Sequence, residues 1–167
     1  MAKTYNNFAD IITFSRGSNA TVRDSDGYIK WAGHNYLTYS NEFSSWSNLT
    51  AVSFVADDTT APDGTDTGVK VTNTATNAFV GNSFSFPQNW DCKFTVYAKY
   101  IDNQWLRLML SFTQRAAWFD IQNGTVGTTG ADIDEATIED VGNGWYKCTI
   151  KTDNPYASPQ IFCVLAN

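Results

Sequence analysis

Polar and apolar residues alternate in many short stretches of the chain, and no other feature limits the possible folds more. In YKCTIK at 146–151, apolar residues alternate with lysine and threonine. A period of two is that of a β-strand with one face buried. The preceding GNG at 142–144 can adopt positive φ at low cost. It therefore predicts a tight turn that leads into a half-buried strand.

Stretches with a strand pattern occur along most of the chain, and turn-forming residues such as DSDG at 24–27 and QNGT at 122–125 separate them. About a dozen short strands with regular turns predict an all-β chain folded as a sandwich or barrel. The only helix we expect is a single turn near 40–46 with Ser40 as its N-cap. The candidate strands are 11–15, 19–23, 28–32, 35–40, 49–56, 67–73, 77–86, 92–100, 104–112, 117–122, 132–140, 144–152 and 160–165.

Length and charge limit the size and partners of the protein. The 167 residues, 43% of them hydrophobic, fit one domain with a substantial core. The net charge of −6 and the absence of a basic run argue against a nucleic-acid partner, which needs a basic face. No segment approaches the roughly 20 apolar residues that cross a bilayer, so we expect no membrane partner. The N-terminal sequence lacks a signal-peptide pattern, so we expect synthesis and folding in a cytoplasm.

The pattern divides the chain into two unequal parts. Residues 1–38 hold two short strands around an Asp-Gly turn, with aromatic anchors but too few residues for a core of their own. We interpret them as an N-terminal arm with a small hairpin, which must pack on its own sandwich or on another chain; we favour another chain. Residues 39–167 carry the long alternating strands and could form one β-sandwich.

The three cysteines are too few and odd in number for a disulfide framework. Cys92 is in phase with Phe94, and Cys148 is in phase with Ile150, so we expect buried free thiols, also at Cys163. A bridge between Cys92 and Cys148 is the less favoured alternative.

No catalytic constellation is evident. His34 is the only histidine, and it lies in a loop-like WAGHNY segment, where a polar loop residue is a simpler interpretation than a catalytic base. The carboxylates of residues 132–140 alternate along a predicted strand and indicate a solvated face, although a glycosidase pair is set by spatial separation and could be present. We expect no enzyme and no cofactor.

One segment is a weak candidate for a structural calcium site. The segment 57–66 is rich in oxygen ligands, and hard cations such as calcium prefer carboxylate and carbonyl oxygens. The candidate ligands are Asp57, Asp58 and Asp63.

Aromatic residues that are out of phase with the core give the best local indication of binding. If their strands are neighbours, Tyr97, Trp105, Arg107 and Trp118 form one aromatic and cationic patch on an outer face. Such a patch could stack on a sugar ring, or form the centre of a protein interface. A third interpretation, burial beneath the N-terminal arm, needs no function.

Several segments resemble those of one family of phage proteins. FSRGSNATVRDSDGYIKWA at 14–32 resembles the opening segment of tailed-bacteriophage virion proteins of the head-decoration, head-fibre or carbohydrate-binding-like type. The blocks NYLTYSNEFSSW, APDGTDTGVKV, FTVYAKY, FDIQNGTVGTTG and IEDVGNGWYKC follow in the order of that family's jelly-roll module. The matching residues of the opening segment are Phe14, Arg16, Ser18, Ala20, Thr21, Asp24, Asp26, Gly27 and Ile29.

The resemblance implies a jelly-roll β-sandwich similar to carbohydrate-binding modules, with no catalytic residue. Two features depart from the family. A stretch that longer relatives insert before the LTYS block is missing, and the chain stops at QIFCVLAN, before the last strands that such modules usually have. We expect either a short sandwich or an edge that a neighbour or the arm supplies.

The resemblance, together with the arm and the missing catalytic set, favours a structural role in a virion. We expect a capsid decoration or cement protein that binds the major capsid protein as dimers or trimers. The alternative is a tail-fibre or adhesin module that binds host glycans through the aromatic patch, and a third class is a sugar-binding module of a hydrolase. The arm residues expected at the capsid interface are Phe14, Arg16, Tyr28, Trp31 and His34.

Overall fold

A computed structural model describes residues 21–23, 25–31, 35–37, 39–40, 42–76, 78–85, 90–111, 113–154 and 160–166 of the chain. The chain divides into two compact units, Met1–Asn35 and Tyr36–Asn167, and each is described here by itself. Among the described residues there is no helix long and apolar enough to cross a bilayer.

The first unit contains a small antiparallel hairpin. Strands β1 (Thr21–Arg23) and β2 (Ile29–Trp31) pair around the Asp-Gly turn that the sequence predicts. Arg23 Nε donates a hydrogen bond of 2.9 Å to the carbonyl of Gly27, which has a φ of 87°. The side chains of Tyr28 and Ile29 are 70% and 75% exposed. Phe14, Arg16 and His34, the strand expected at 11–15 and the side chain of Trp31 lie outside the described residues.

The second unit is built of antiparallel sheets, as predicted. The strands are β3 (Asn48–Thr50), β4 (Val52–Thr59), β5 (Gly68–Asn73), β6 (Phe79–Ser83), β7 (Trp90–Lys99), β8 (Trp105–Leu110), β9 (Ala116–Asp120), β10 (Thr125–Thr129), β11 (Glu135–Gly142), β12 (Trp145–Asn154) and β13 (Gln160–Ala166). The largest sheet has six strands in the order β10-β9-β8-β13-β6-β3, a second has the order β11-β12-β7, and β4 and β5 form a two-stranded sheet.

One hydrophobic core joins the inner faces of the six-stranded and three-stranded sheets, as in a β-sandwich. Leu106, Leu108 and Leu110 point inward from β8, which confirms their predicted phase. Each inner face is apolar because alternate residues of every strand fall on the same side. The buried members of the core are Trp46, Val80, Phe94, Leu106, Leu108, Leu110, Ala117, Phe119, Ile121, Cys148, Ile150, Ile161 and Cys163.

The glycine-rich turn between β11 and β12 has the predicted conformation. Gly142, Asn143 and Gly144 have φ values of 91°, 55° and 78°. The strand that follows pairs with β11 on one side and with β7 on the other. The motif is therefore the turn of a β-hairpin, and its glycines allow the positive φ angles that this turn requires.

Several local predictions are wrong. Residues 35–40 contain no strand among those described, because the chain turns at Tyr39, whose φ is 57°. The single helical turn is present at Phe43–Ser45, but Ser40 does not cap it and instead donates a hydrogen bond to the carbonyl of Leu37. The predicted strand at 49–56 is interrupted at Ala51, with a φ of 53°. Strand β10 was not predicted at all.

The last described strand lies inside the six-stranded sheet. Strand β13 pairs with β8 on one side and β6 on the other, and the edges of this sheet are β10 and β3. The sequence predicted that the sandwich lacks an edge after QIFCVLAN. Strand β13, which carries this segment, is not an edge strand, because β8 and β6 flank it.

Candidate functional site

The outer face of the six-stranded sheet is the candidate site, and two rows of side chains across the strands define it. The strand registers place side chains of β9, β8, β13 and β6 side by side in one row. A second row lies two residues away along each strand. Because residues two apart on a strand share a face, both rows point away from the core. The first row is Trp118, Arg107, Val164 and Phe79, and the second is Ala116, Met109, Phe162 and Gly81.

Glycines seat two aromatic rings closely on this outer face. A Cβ added at Gly127 would lie 2.6 Å from Cζ3 of Trp105, and one added at Gly81 would lie 2.6 Å from Cδ1 of Phe162. The rings therefore occupy the space that side chains at these two positions would fill. The ring of Phe162 also packs edge-on against Phe79, with the centroids 5.4 Å apart. Aromatic rings therefore lie close to the sheet at two places on this face, at Trp105 and at Phe162.

Arg107 is the cation of this face, and the described residues leave its charge unpaired. Its guanidinium carbon lies 5.4 Å from the centroid of the Trp118 ring, in a cation–π arrangement. Within the described part of the chain it makes no hydrogen bond and no ion pair, and its Nε is buried without a partner. A buried donor without an acceptor is costly, so this group is unusual in a folded protein.

Asp120, the carboxylate at the end of the same face, is already engaged. It pairs with Trp105 across the strands, and its oxygens accept hydrogen bonds from four donors. The Asn123 side chain, followed by its backbone N–H and by Gln104 and Gln122, holds the pKa of Asp120 below its usual value. Asp120 therefore organises the β9–β10 turn. The donors are the amide groups of Gln104 and Asn123, at 2.8 Å each, and the backbone N–H groups of Gln122 and Asn123, at 3.1 and 2.9 Å.

Tyr97 does not belong to this surface. It lies on β7 of the three-stranded sheet, opposite Lys147, whereas Trp105, Arg107 and Trp118 lie together on β8 and β9. The expected patch of four residues is therefore wrong in its extent, because β7 and β8 follow each other in sequence but belong to different sheets. Tyr97 is 48% exposed among polar neighbours.

The sequence contained an unused indication of the wider face. In QIFCVLA of β13, both alternate sets of residues are apolar, a pattern of strands covered on both faces. Phe162 and Val164 occupy the outer set and extend the surface beyond Trp105, Arg107 and Trp118. The roles of Gly81 and Gly127 could not be inferred because they depend on which strands are neighbours.

The oxygen-rich loop is organised by its own hydrogen bonds. Oδ1 of Asp63 accepts bonds from the Thr65 hydroxyl and backbone N–H, which lower the pKa of Asp63, and Asp66 accepts one from Thr60. Among the described residues, no three His, Cys, Asp or Glu side chains form a group that could hold a metal ion. Asp57 lines a shallow groove of about 280 Å³ together with Phe43, Phe54 and Val69. Asp58 is exposed on β4.

The three cysteines are free, as expected; Cys148 and Cys163 are buried, whereas Cys92 is only partly buried. Cys92 lies opposite Thr152 and Cys148 lies opposite Val96, so the two are not cross-strand partners. Burial raises the pKa of Cys92 to about 11 and that of Cys148 and Cys163 to about 12. Their thiolate forms are scarce at neutral pH, which makes all three poor nucleophiles and metal ligands.

No protein-family model matches the chain, and a search of curated proteins finds no match.

Proposed function

We propose that the protein is a non-enzymatic structural protein of a bacteriophage particle, a capsid decoration protein of jelly-roll type that binds the major capsid protein. The apolar outer face of the six-stranded sheet is the observation that carries this proposal. Its Trp, Phe, Met and Arg side chains are those enriched in protein interfaces. The resemblance of the sequence to phage virion proteins supplies the class of particle.

The extent of the face favours a macromolecular partner. The row from Trp118 to Phe79 crosses four neighbouring strands of the sheet. Strands lie about 4.8 Å apart, so the row spans about 14 Å between its end strands. A surface of this width can contribute the apolar centre of a protein interface.

The chemistry of the titratable groups supports a role without catalysis. The buried carboxylate of Asp120 serves a turn, and burial keeps the thiols protonated. Arg115 is also committed, since it pairs with Asp132 at 3.0 Å and with Asp153 at 3.5 Å.

The arm supplies a second contact in this proposal. In the described hairpin of the first unit, Tyr28 and Ile29 expose large apolar side chains, and two strands of three residues are too few to form a core by themselves. We place Phe14, Arg16, Tyr28, Trp31 and His34 at the capsid or at a second copy, in a dimer or trimer on the virion surface.

The test is co-sedimentation of the purified protein with capsid shells that lack it, beside adsorption to host cells. We expect saturable binding to shells and none to cells. Deletion of residues 1–32 should abolish binding to shells. Normal attachment of this deletion variant would contradict the role of the arm, and absence of shell binding by the full chain would contradict the function.

Binding of host glycans is the second candidate, and the seating of Trp105 on Gly127 favours it. An indole held close to the sheet beside Trp118 and Arg107 offers a flat surface on which a sugar ring can stack. In that case Trp105→Ala and Trp118→Ala should each abolish adsorption to cells, and free sugars should compete with it. Tyr97→Ala, on the other sheet, is the matched control and should adsorb normally.

A further inference from the structure

We propose that Arg107 receives a carboxylate of the capsid protein when the outer face of the six-stranded sheet docks on the shell. This inference rests on the proposed function and names the chemistry of the partner at its centre. The starting observation is a guanidinium inside an apolar surface, stacked on Trp118, with Nε buried and without an acceptor.

A guanidinium in this setting is suited to a carboxylate. Arginine presents a planar fork of donors that two carboxylate oxygens can match with parallel hydrogen bonds. The donors of a guanidinium point outward in the plane of the group, so an incoming acid can accept hydrogen bonds from them while the face of the group stays on the Trp118 ring. Docking would also remove water from the pair, which strengthens the attraction between the charges.

The chain itself offers no acid for this position among the described residues. Asp120 is the carboxylate on the same face, and its two oxygens already accept four hydrogen bonds within the turn. Two copies that met through this same face would bring two unpaired arginines and no free carboxylate. Charge complementarity therefore favours a different surface, one that is apolar around an aspartate or glutamate.

The width of the apolar rows favours a protein partner with a carboxylate over an acidic sugar. A single ring stacked on Trp105 and Trp118 would leave Met109 uncovered further along β8, and Phe162 and Val164 uncovered on the neighbouring strand β13. A protein surface covers all of them at once. Affinity should then depend on the charge of residue 107 and also on the apolar residues of β13.

The experiment titrates the full-length protein onto capsid shells that lack it, and measures the bound fraction by sedimentation. Four variants are compared with wild type: Arg107→Lys, Arg107→Met, Arg107→Glu and Lys93→Glu. The last is the matched control, since it makes the same charge reversal on the exposed outer face of the three-stranded sheet. Thermal unfolding of each variant verifies that it is folded.

We expect Arg107→Glu to weaken shell binding about 100-fold or more and Arg107→Met about 10-fold or more, as for the loss of a desolvated ion pair. Arg107→Lys should recover part of the loss because it keeps the charge and loses the fork. Lys93→Glu should stay within about twofold of wild type, as for a charge outside the interface.

Three results would overturn the inference. If wild type binds and Arg107→Met and Arg107→Glu bind equally well, the face does not use a carboxylate, and the proposed function survives. If wild type does not bind shells, the proposed function fails and this inference fails with it. Loss of cell adsorption in Arg107→Glu, reversed by free acidic sugars, would assign the arginine to a glycan instead.

Discussion

The outer faces of the two larger sheets differ, although their inner faces contribute to one core. On the three-stranded sheet, the outer rows hold threonines and charged residues, for example Thr137, Thr149 and Thr95 in register. On the six-stranded sheet, Met109, Phe162 and Val164 occupy the equivalent outward positions. Polar alternation is what a solvated antiparallel sheet needs. The apolar outer face departs from this pattern, and it is the surface on which the proposed partner would dock.

The side-chain contacts on the two outer faces differ in the same way. On the polar face, the hydroxyls of Thr95 and Thr149 are 2.9 Å apart, and Lys147 and Lys151 reach carboxylates at 3.1 Å each. These contacts are exposed and contribute little to folding. On the apolar face, Gly81 and Gly127 lie against aromatic rings, and Arg107 has no acceptor among the described residues. The outer face of the three-stranded sheet is therefore polar and internally paired, whereas that of the six-stranded sheet is apolar around an unpaired arginine.

The largest expected effect is on the rate of cysteine labelling, which tests whether the inner faces of the six-stranded and three-stranded sheets are equally protected. Cys148 and Cys163 face the core from opposite sheets, and burial raises the pKa of both thiols to about 12. We expect both to react with a thiol reagent at pH 8 about a thousandfold more slowly than in urea, since labelling needs unfolding. Mass spectrometry of time points gives both rates. Fast labelling of one cysteine alone would show that the two sheets differ inside as well.

The next effect concerns the glycines of the apolar face that lie against aromatic rings. Gly81→Val should lower the free energy of unfolding by about 3 kcal/mol, because its Cβ would meet the Phe162 ring and the Ile161 carbonyl, at 2.6 and 2.8 Å. Thr149→Val on the polar face is the matched control and should change it by less than about 1 kcal/mol. Urea denaturation measures both. Equal losses would contradict the distinction between the faces.

The third effect is the pH dependence of the β9–β10 turn. Hydrogen bonds hold the pKa of Asp120 below its unfolded value, so its contribution to stability is present above that value. The contribution is lost as pH falls through the lowered pKa of the folded state. Asp120→Asn should therefore be less stable at pH 7 and lose less stability than wild type on acidification. Urea midpoints from pH 7 to pH 2 test this, and parallel curves would refute it.

The smallest effect is expected at the exposed ion pair of the polar face. Hydrogen bonding and charge attraction from Glu139 raise the pKa of Lys147, but both side chains are exposed. Glu139→Gln should leave the urea midpoint unchanged within error, since solvent screens such pairs. A marked loss of stability would show that the polar face is more than a solvated surface.

The fold class was predictable because alternation and turn chemistry are local. The leucines of β8 and the GNG turn at 142–144 needed no knowledge of distant residues. Strand β10 was missed because its sequence, TVGTT, has one apolar side chain and a glycine and so shows no clear alternation. The segment 35–40 was misassigned because it is rich in residues that favour strands, such as Tyr36 and Tyr39, although Tyr39 has a positive φ.

The candidate site was predictable only in part, for a different reason. Alternation showed that Trp105, Arg107 and Trp118 point away from the core, and β8 and β9 are neighbours as assumed. It could not show that Tyr97 lies in another sheet, or that Phe162 lies beside Met109. Both depend on pairing between strands distant in sequence, which local patterns do not encode.

The position of β13 also has a kinetic consequence. Its residue Gln160 pairs with Ser83 on one side, and Ile161 pairs with Leu110 on the other, so both neighbours lie far away along the chain. Closing such long loops costs entropy before any contact compensates for it. The β8–β9–β10 meander can form from local contacts, whereas the sheet is joined only when β13 inserts. We expect refolding on the millisecond-to-second scale, with β13 among the last strands to gain protection from hydrogen exchange.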